Sequence, residues 1–528
     1  MKQYRGTFYD QLNLLAEKYR DKTAIICEDK NISYTELLSA CEKGAVKLIQ
    51  DGLQKGDKVI LWGFNCIEWV ICFYSVMLAG GTAVLMNYGI HADEAGKLGK
   101  KVKASRLLYG KTGAIISTSS ALQLAAEEAG IEAKKVCPFT DYTCTEEVIK
   151  DTCILQTINE QTDSKDTQVI IYTTGTTAEP KAVQLSAYSI INDAIGAYEL
   201  LKNSNIGKCS CNALPLFHSY GMVVLQVYLY CGKTVCLLPV IKAEIIADVV
   251  AREICDDMAS VGSVYAMLTR LPDFSEKIKG KLNLCIVGGG FTGAKEMMRL
   301  EKAFGGASIL CGYGQTECSP VISVEIIQDS LEKRASSVGH ILPGLDVRVW
   351  HKEKGYVPSG ETGEIIVKGY CTMNGYFGVT QGDTSLDESG YLHTGDLGYI
   401  SEDNMLHLTG RMKEIIVRCG ENVSPLEVEE ALCEIDDVLE ARVIGIPHDI
   451  LGESVEACVV MKEIPANSSE AEKTSERLKR QLRKKLSSYK VPNHILLLER
   501  FPLNATGKTD NRQLRELLLQ KIISDQEE

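Results

Sequence analysis

Residues 170–186, IIYTTGTTAEPKAVQLS, run from two isoleucines into threonine and glycine and then into Pro180 and Lys181. The hydroxyls and backbone N–H groups of Thr173, Thr174, Gly175, Thr176 and Thr177, turned tightly at the end of a strand, are donors for phosphate oxygens. Lys181 adds the positive charge a polyphosphate requires. The stretch is not the Walker loop: Pro180 stands five residues after Gly175 where that motif has Gly, and Ala182 follows the lysine instead of Ser or Thr. On composition alone it reads equally as a Thr-rich surface turn with a solvated lysine.

A second glycine loop, LNLCIVGGGFTGAKEMMRL, carries Gly288, Gly290 and Gly293 in the spacing of a dinucleotide fingerprint. That fingerprint needs a carboxylate about twenty residues on, at the end of the next strand. Here that strand, ASILCGYG, ends in Cys311, Gly312 and Tyr313, so a nicotinamide or flavin reading lacks its ribose ligand. Other candidates have plain alternatives. Asp396 in HTGDLG has the spacing of a turn residue between two strands, and Lys508 in NATGK that of an exposed lysine near a terminus. His218 in PLFHSYG and Tyr313 read as core, and Glu317 in YGQTE as a turn carboxylate.

The elements that must position these groups alternate. Apolar runs such as KVILWGF, QVIIYTT, KTVCLLP and NLCIVGGG are separated by helical stretches such as HADEAGKLGKKV and AKEMMRLEKAF. This predicts α/β layers around largely parallel sheets. From about residue 335, short strands between Gly, Asp and Asn turns predict an antiparallel region. After Arg411 a smaller α+β segment follows, so the expected organisation is a large N-terminal domain, 1–410, and a small C-terminal domain, 411–528. Residues 69–86 carry no charge, but Gly80 and Gly81 divide them into a buried helix and a buried strand instead of a membrane span.

Composition excludes some classes. A net charge of −13 over 528 residues argues against general nucleic-acid binding. The nineteen cysteines show no CxxC pair and no zinc-ligand spacing; with no secretory segment in the first residues, free thiols in a reducing cytoplasm are expected.

Taken in order, YTTGTTAEPK, PLFHSYG, VGGGFTG, GYGQTE, YLHTGDLGYI, GRMKEIIVRCGENVSPLEVE and NATGK resemble the adenylate-forming superfamily of acyl-CoA synthetases, peptide-synthetase adenylation domains and luciferases. The resemblance runs from about residue 32 to about 510. It implies attack of a carboxylate on the α-phosphate of ATP, two anions whose approach needs fixed cations and donors. It further implies that the threonine loop and Lys181 cradle the β- and γ-phosphates and that Glu317 holds magnesium. On the same resemblance Tyr313 and Gly314 would line the adenine slot, with Gly288, Gly289, Gly290, Gln315 and Thr316 as further nucleotide contacts. Asp396 would bind the ribose hydroxyls, with Arg411 on the other side of the nucleotide. Lys508 would bridge carboxylate and α-phosphate, and Thr173, Glu317 and His218 would complete the catalytic set. Lys413 matches a hinge about which the C-terminal domain turns for the thioester step, and Gly420 the segment lining a pantetheine tunnel.

Amino-acid-activating members of the superfamily usually carry an Asp where this chain has LPLFHSYGM, which weighs against an amino acid. The PLFHSYG form is similar to fatty-acyl and aryl CoA synthetases; His218 then lies near the acid's entry, and MVVLQVYLYCG and VGSVYAML supply apolar walls. Coenzyme A is the expected acceptor, and a carrier-protein phosphopantetheine the alternative. The basic stretch Arg477 to Lys485 would meet either one, although leucines at 478, 482 and 486 fit a helix with a solvated charged face. Ala178, Ala182 and Ala187 depart from the usual Gly, Gly and His of the first motif, which keeps a non-catalytic ligand-binding paralogue in view. The oligomeric state is open between monomer and homodimer.

Overall fold

A computed structural model of the chain describes residues 1–527 apart from 111–118, 144–151, 174–179, 253, 290–293, 380–384, 449 and 504–508. Its first sheet orders nine described strands as His340–Ile341, Ser323–Val324, Ser308–Tyr313, Leu284–Gly288, Asp257–Val261, Cys209–Asn212, Thr234–Leu237, Thr23–Cys27 and Lys30–Ser33. The six central strands are parallel. Every residue of Leu284–Gly288 and Asp257–Val261 is buried, as continuous apolar strands covered on both faces must be. A second sheet orders Gly375–Tyr376, Lys181–Ser186, Thr167–Thr173, Thr82–Met86, Lys58–Trp62, Ala104–Tyr109 and Val136–Pro138. One apolar cluster, including Trp69, Phe73, Val169, Leu225 and Ile309, runs across both sheets and their helices.

The uncharged stretch divides as its glycines predict. Helix Ile67–Leu78 ends at a turn with Gly80 at φ 80°, and strand Thr82–Met86 is buried throughout. Among the described residues no helix is long and apolar enough to cross a membrane.

A third, antiparallel sheet orders Gly355–Tyr356, Asp346–His351, Gly363–Lys368, Leu392–Ile400 and Leu406–Arg411. The smaller C-terminal part has its own sheet. Gly452–Met461 lies at its centre and pairs antiparallel with the edge strand Val438–His448, and helices Pro425–Cys433 and Ser468–Leu482 bury Val428, Leu432, Leu478 and Leu482 against it. The α/β reading, with a large N-terminal part, an antiparallel subregion and a small C-terminal part, stands.

Three details differ from the sequence reading. Antiparallel pairing also occurs before residue 335: Thr23–Cys27 pairs with Lys30–Ser33, Thr167–Thr173 with Lys181–Ser186, and Ser308–Tyr313 with Ser323–Val324. Antiparallel neighbours need no long crossover between them, so these pairs sit at the margins of otherwise parallel sheets. The basic helix ends at Leu482, short of Lys485, and two cations of the basic stretch are bound locally: Arg477 pairs with Asp437 and Lys485 with Glu434. Asp396 is not in a turn; it lies inside Leu392–Ile400.

Asp257 opens a central strand with its carboxyl fully buried. One oxygen accepts from Tyr228 Oη at 2.7 Å and from the backbone N–H of Gly207. The other finds no partner among the described residues. Burial, the largest influence, pushes this carboxyl up to about 7. The folded chain thus keeps a proton that the unfolded chain releases near pH 4, and stability falls by up to ~1.4 kcal/mol per pH unit between about pH 4 and about pH 7. Asp257→Asn keeps the acceptor and removes the ionisation. Its melting temperature relative to the parent should therefore rise between about pH 4 and about pH 7; a difference that ignores pH would refute the assignment.

Candidate active site

A cavity of about 780 Å³ opens where strand ends of the three N-terminal sheets meet. On one side the antiparallel register sets Thr173 opposite Lys181, so the ends of the threonine loop are held together. Thr174, Gly175, Thr176, Thr177 and Ala178 lie outside the described residues. Thr173 and Lys181 line the cavity, and the lysine ammonium sits 4.6 Å from the ring centroid of Tyr376, a cation–π contact that orients its long stem. Ala182 is a buried strand residue and Ala187 the buried first residue of a helix; neither has positive φ, so these departures from the family pattern cost no backbone strain.

Strand Ser308–Tyr313 delivers the next group. Tyr313 is buried, and its hydroxyl donates to Asp396 Oδ2 at 2.7 Å. Burial, reinforced by the Asp396 charge, pushes the phenol well up, so it remains a donor. A Cβ on Gly314 would stand 1.8 Å from the carbonyl oxygen of Pro320, so only glycine fits this turn. Gln315 and Thr316 follow on the cavity wall, with Thr316 Oγ1 at 3.2 Å from Ser219 Oγ. Glu317 accepts from Tyr376 Oη at 3.0 Å. Burial first, then the Glu317 charge, pushes the Tyr376 phenol up and keeps it protonated for that bond.

Asp396 and Arg411 are cross-strand neighbours on Leu392–Ile400 and Leu406–Arg411, and Arg411 Nε donates to Asp396 Oδ1 at 2.8 Å. Asp396 is only 4% exposed, so both oxygens of a buried anion are matched, one by a phenol and one by a guanidinium.

His218 caps the start of helix Ser219–Tyr230, its ring against Phe217 at 4.3 Å between centroids, and lines the cavity. Asn65 fixes that loop, donating to Leu214 O and accepting from Leu216 N, both at 2.8 Å. Gly288 and Gly289 also line the cavity; a Cβ on Gly288 would stand 2.6 Å from the Tyr220 ring. Lys413 lines the mouth beside Arg411. Gly420 stays apart, at the exposed tip of the hairpin Ile416–Val423 with φ 83°. Gly290 and Lys508 lie outside the described residues.

Glu317 fits the magnesium role by the chemistry of its donors. Among the described residues there is no cluster of three or more His, Cys, Asp or Glu side chains able to hold a metal. Magnesium here would take one carboxylate, with water and phosphate oxygens as the rest of its shell, a mode this hard cation favours.

Sequence reasoning missed Tyr376, Asn65 and Ser219. Tyr376 lies on a two-residue strand with no periodicity to reveal it, and its link to Glu317 spans 59 positions. Asn65 acts through backbone contacts about 150 residues away, for which no local signal exists.

The AMP-binding enzyme family matches residues 13–377, and the AMP-binding enzyme C-terminal domain matches residues 427–508. The chain is 28% identical over 535 residues to the putative acyl-CoA synthetase YngI of Bacillus subtilis, covering 96% of each. It is 28% identical over 543 residues to the mitochondrial medium-chain acyl-CoA ligase ACSF2 of Danio rerio, covering 96% of this chain and 87% of the relative. ATP-bound MatB from Rhodopseudomonas palustris aligns with a TM-score of 0.81 at 25% identity, over 96% of this chain and 98% of that one. A benzoate CoA ligase from Burkholderia xenovorans shares the fold at 22% identity and a TM-score of 0.83, over 96% and 99% of the two chains. The chain belongs to the AMP-binding enzyme family and is an adenylate-forming ligase of the acyl-CoA synthetase type.

Proposed function

We propose that this ligase activates a fatty acid with ATP and passes the acyl group to coenzyme A. The carboxylate attacks the α-phosphorus, pyrophosphate leaves, and an acyl adenylate forms; the thiol then adds to the acyl carbonyl and AMP leaves with the adenylate oxygen. The observation that carries the reading is one cavity lined at one end by Tyr313, Glu317, Asp396 and Arg411 and along the other by the apolar face of helix Ser219–Tyr230. A nucleotide and a hydrocarbon chain have different needs, and this cavity offers both.

In this reading Tyr313 and Gly314 receive the adenine, and Asp396 accepts from the ribose hydroxyls on its remaining lone pairs while keeping Tyr313 and Arg411. Thr173, Lys181 and the loop between them hold the departing pyrophosphate. Magnesium on Glu317 would neutralise phosphate charge when bound. The site holds anions with fixed donors, so little reorganisation is needed at the moment of attack. Residues 1–410 carry this chemistry, while 411–528 turn about Lys413, bringing Lys508 to the adenylation step and then Gly420 to the thiol's path.

Relatives named as an acyl-CoA synthetase and acyl-CoA ligases support coenzyme A over a carrier protein as the acceptor. Free thiols at every described cysteine support a reducing compartment, the cytoplasm.

Purified protein given magnesium, ATP, coenzyme A and a mixed panel of fatty, aryl and amino acids should yield fatty acyl-CoA with matching AMP by mass spectrometry. Adenylates without thioesters, a preference for aryl acids, or no AMP with any acid would contradict the reading. Lys508→Ala should slow pyrophosphate release by ~10²-fold or more while thioester formation from supplied acyl adenylate is largely kept. Equal loss in both half-reactions would remove Lys508 from its assigned step.

A further inference from the structure

The apolar end of the cavity has a measurable depth. Helix Ser219–Tyr230 starts at the nucleotide side, where Ser219 meets Thr316, and runs away from it. Tyr220, Val224 and Val227 follow one another along its cavity face at helical spacing. Ala197 and Leu201, one turn apart on helix Ala187–Leu201, form the facing wall. That helix packs beside the first with its end at the same end, since the rings of Tyr198 and Tyr230 meet at 5.6 Å.

Two independent rulers give the same length. From Ser219 to Tyr228 a helix rises ~13 Å. The neighbouring strand Asp257–Val261 has Val261 at the site, paired with Gly288, and Asp257 at the far end, where it accepts the Tyr228 hydroxyl; its four steps also span ~13 Å. Tyr228 is thus pinned at the bottom by a buried bond to the sheet, and its ring cannot swing aside without stranding the Asp257 carboxyl.

Resting on the fatty-acid reading above, the geometry points to a chain-length gauge: Leu201 and Tyr228 form the floor of an acyl groove walled by Ala197, and the groove selects unbranched acids of medium length. A fully extended chain advances ~1.2 Å per bond, so ~13 Å holds about ten bonds beyond the carboxyl, an acid of about eight to twelve carbons. Shorter acids leave apolar wall uncovered, at a loss of about fourfold in affinity for each missing methylene. Longer ones meet a floor fixed by a hydrogen bond.

The test is the profile of kcat/KM for pyrophosphate release, without coenzyme A, over straight-chain acids from butanoate to hexadecanoate. The parent enzyme should peak between octanoate and dodecanoate. Leu201→Ala should move the peak to longer acids by about two carbons or more, and Ala197→Leu should cut decanoate and dodecanoate by about tenfold or more relative to butanoate. The two variants change volume in opposite directions, so a general loss of fold in one does not imitate the paired shift. Fatty acids activated with a peak outside that range, or a profile that neither variant moves, would overturn the gauge and leave the ligase standing. Preference for an aryl acid, or no pyrophosphate with any acid, would overturn both.

Discussion

The Asp396 carboxylate is the constraint on which the site depends. Almost removed from water, it must have both oxygens matched, and the partners come from different sheets: Tyr313 from the nine-stranded sheet and Arg411 from the antiparallel one. The Tyr313 bond is the one of the two that crosses between sheets, and it adds a buried polar tie to the apolar cluster that already spans both. The same two bonds place Arg411, and with it Lys413, at the mouth of the cavity. A second polar link repeats the device. Tyr376, on the edge of the seven-stranded sheet, reaches Glu317 beyond the end of Ser308–Tyr313 and stacks beneath the Lys181 ammonium.

This arrangement explains why a nucleotide-type set can sit beside an apolar groove. Sheet strands end at the site, where their last residues are free to carry polar groups, while their interiors remain buried runs such as Leu284–Gly288. Helices Ala187–Leu201 and Ser219–Tyr230 then extend the cavity along the body of the sheet, where Ala197, Leu201, Val223, Val224 and Val227 give it a mainly apolar lining. Polarity therefore changes along the cavity with distance from the strand ends.

Much of this was legible in the sequence because the signals were local. Gly80 and Gly81 correctly divided the uncharged stretch, and the ordered motifs gave Glu317, Asp396, Arg411 and Lys181, which the fold brings around one cavity. Spacing failed where long-range pairing decides conformation. Asp396 has the company of a turn residue, yet its strand continues because Gly363–Lys368 and Leu406–Arg411 flank it on both sides. Tyr376, Asn65 and the Ala197–Leu201 wall act across distances that no periodicity records. Asp257 carries no local signal of its role, which burial against the Tyr228 hydroxyl creates.

The central claim is that an acid oxygen becomes part of AMP. Incubating the preferred acid, labelled with oxygen-18 in its carboxylate, with ATP, magnesium and coenzyme A, and weighing the nucleotide product, tests it directly. AMP carrying a single heavy oxygen is the result expected from attack of the carboxylate on the α-phosphorus. Unlabelled AMP, or label found in inorganic phosphate alongside ADP, would contradict it.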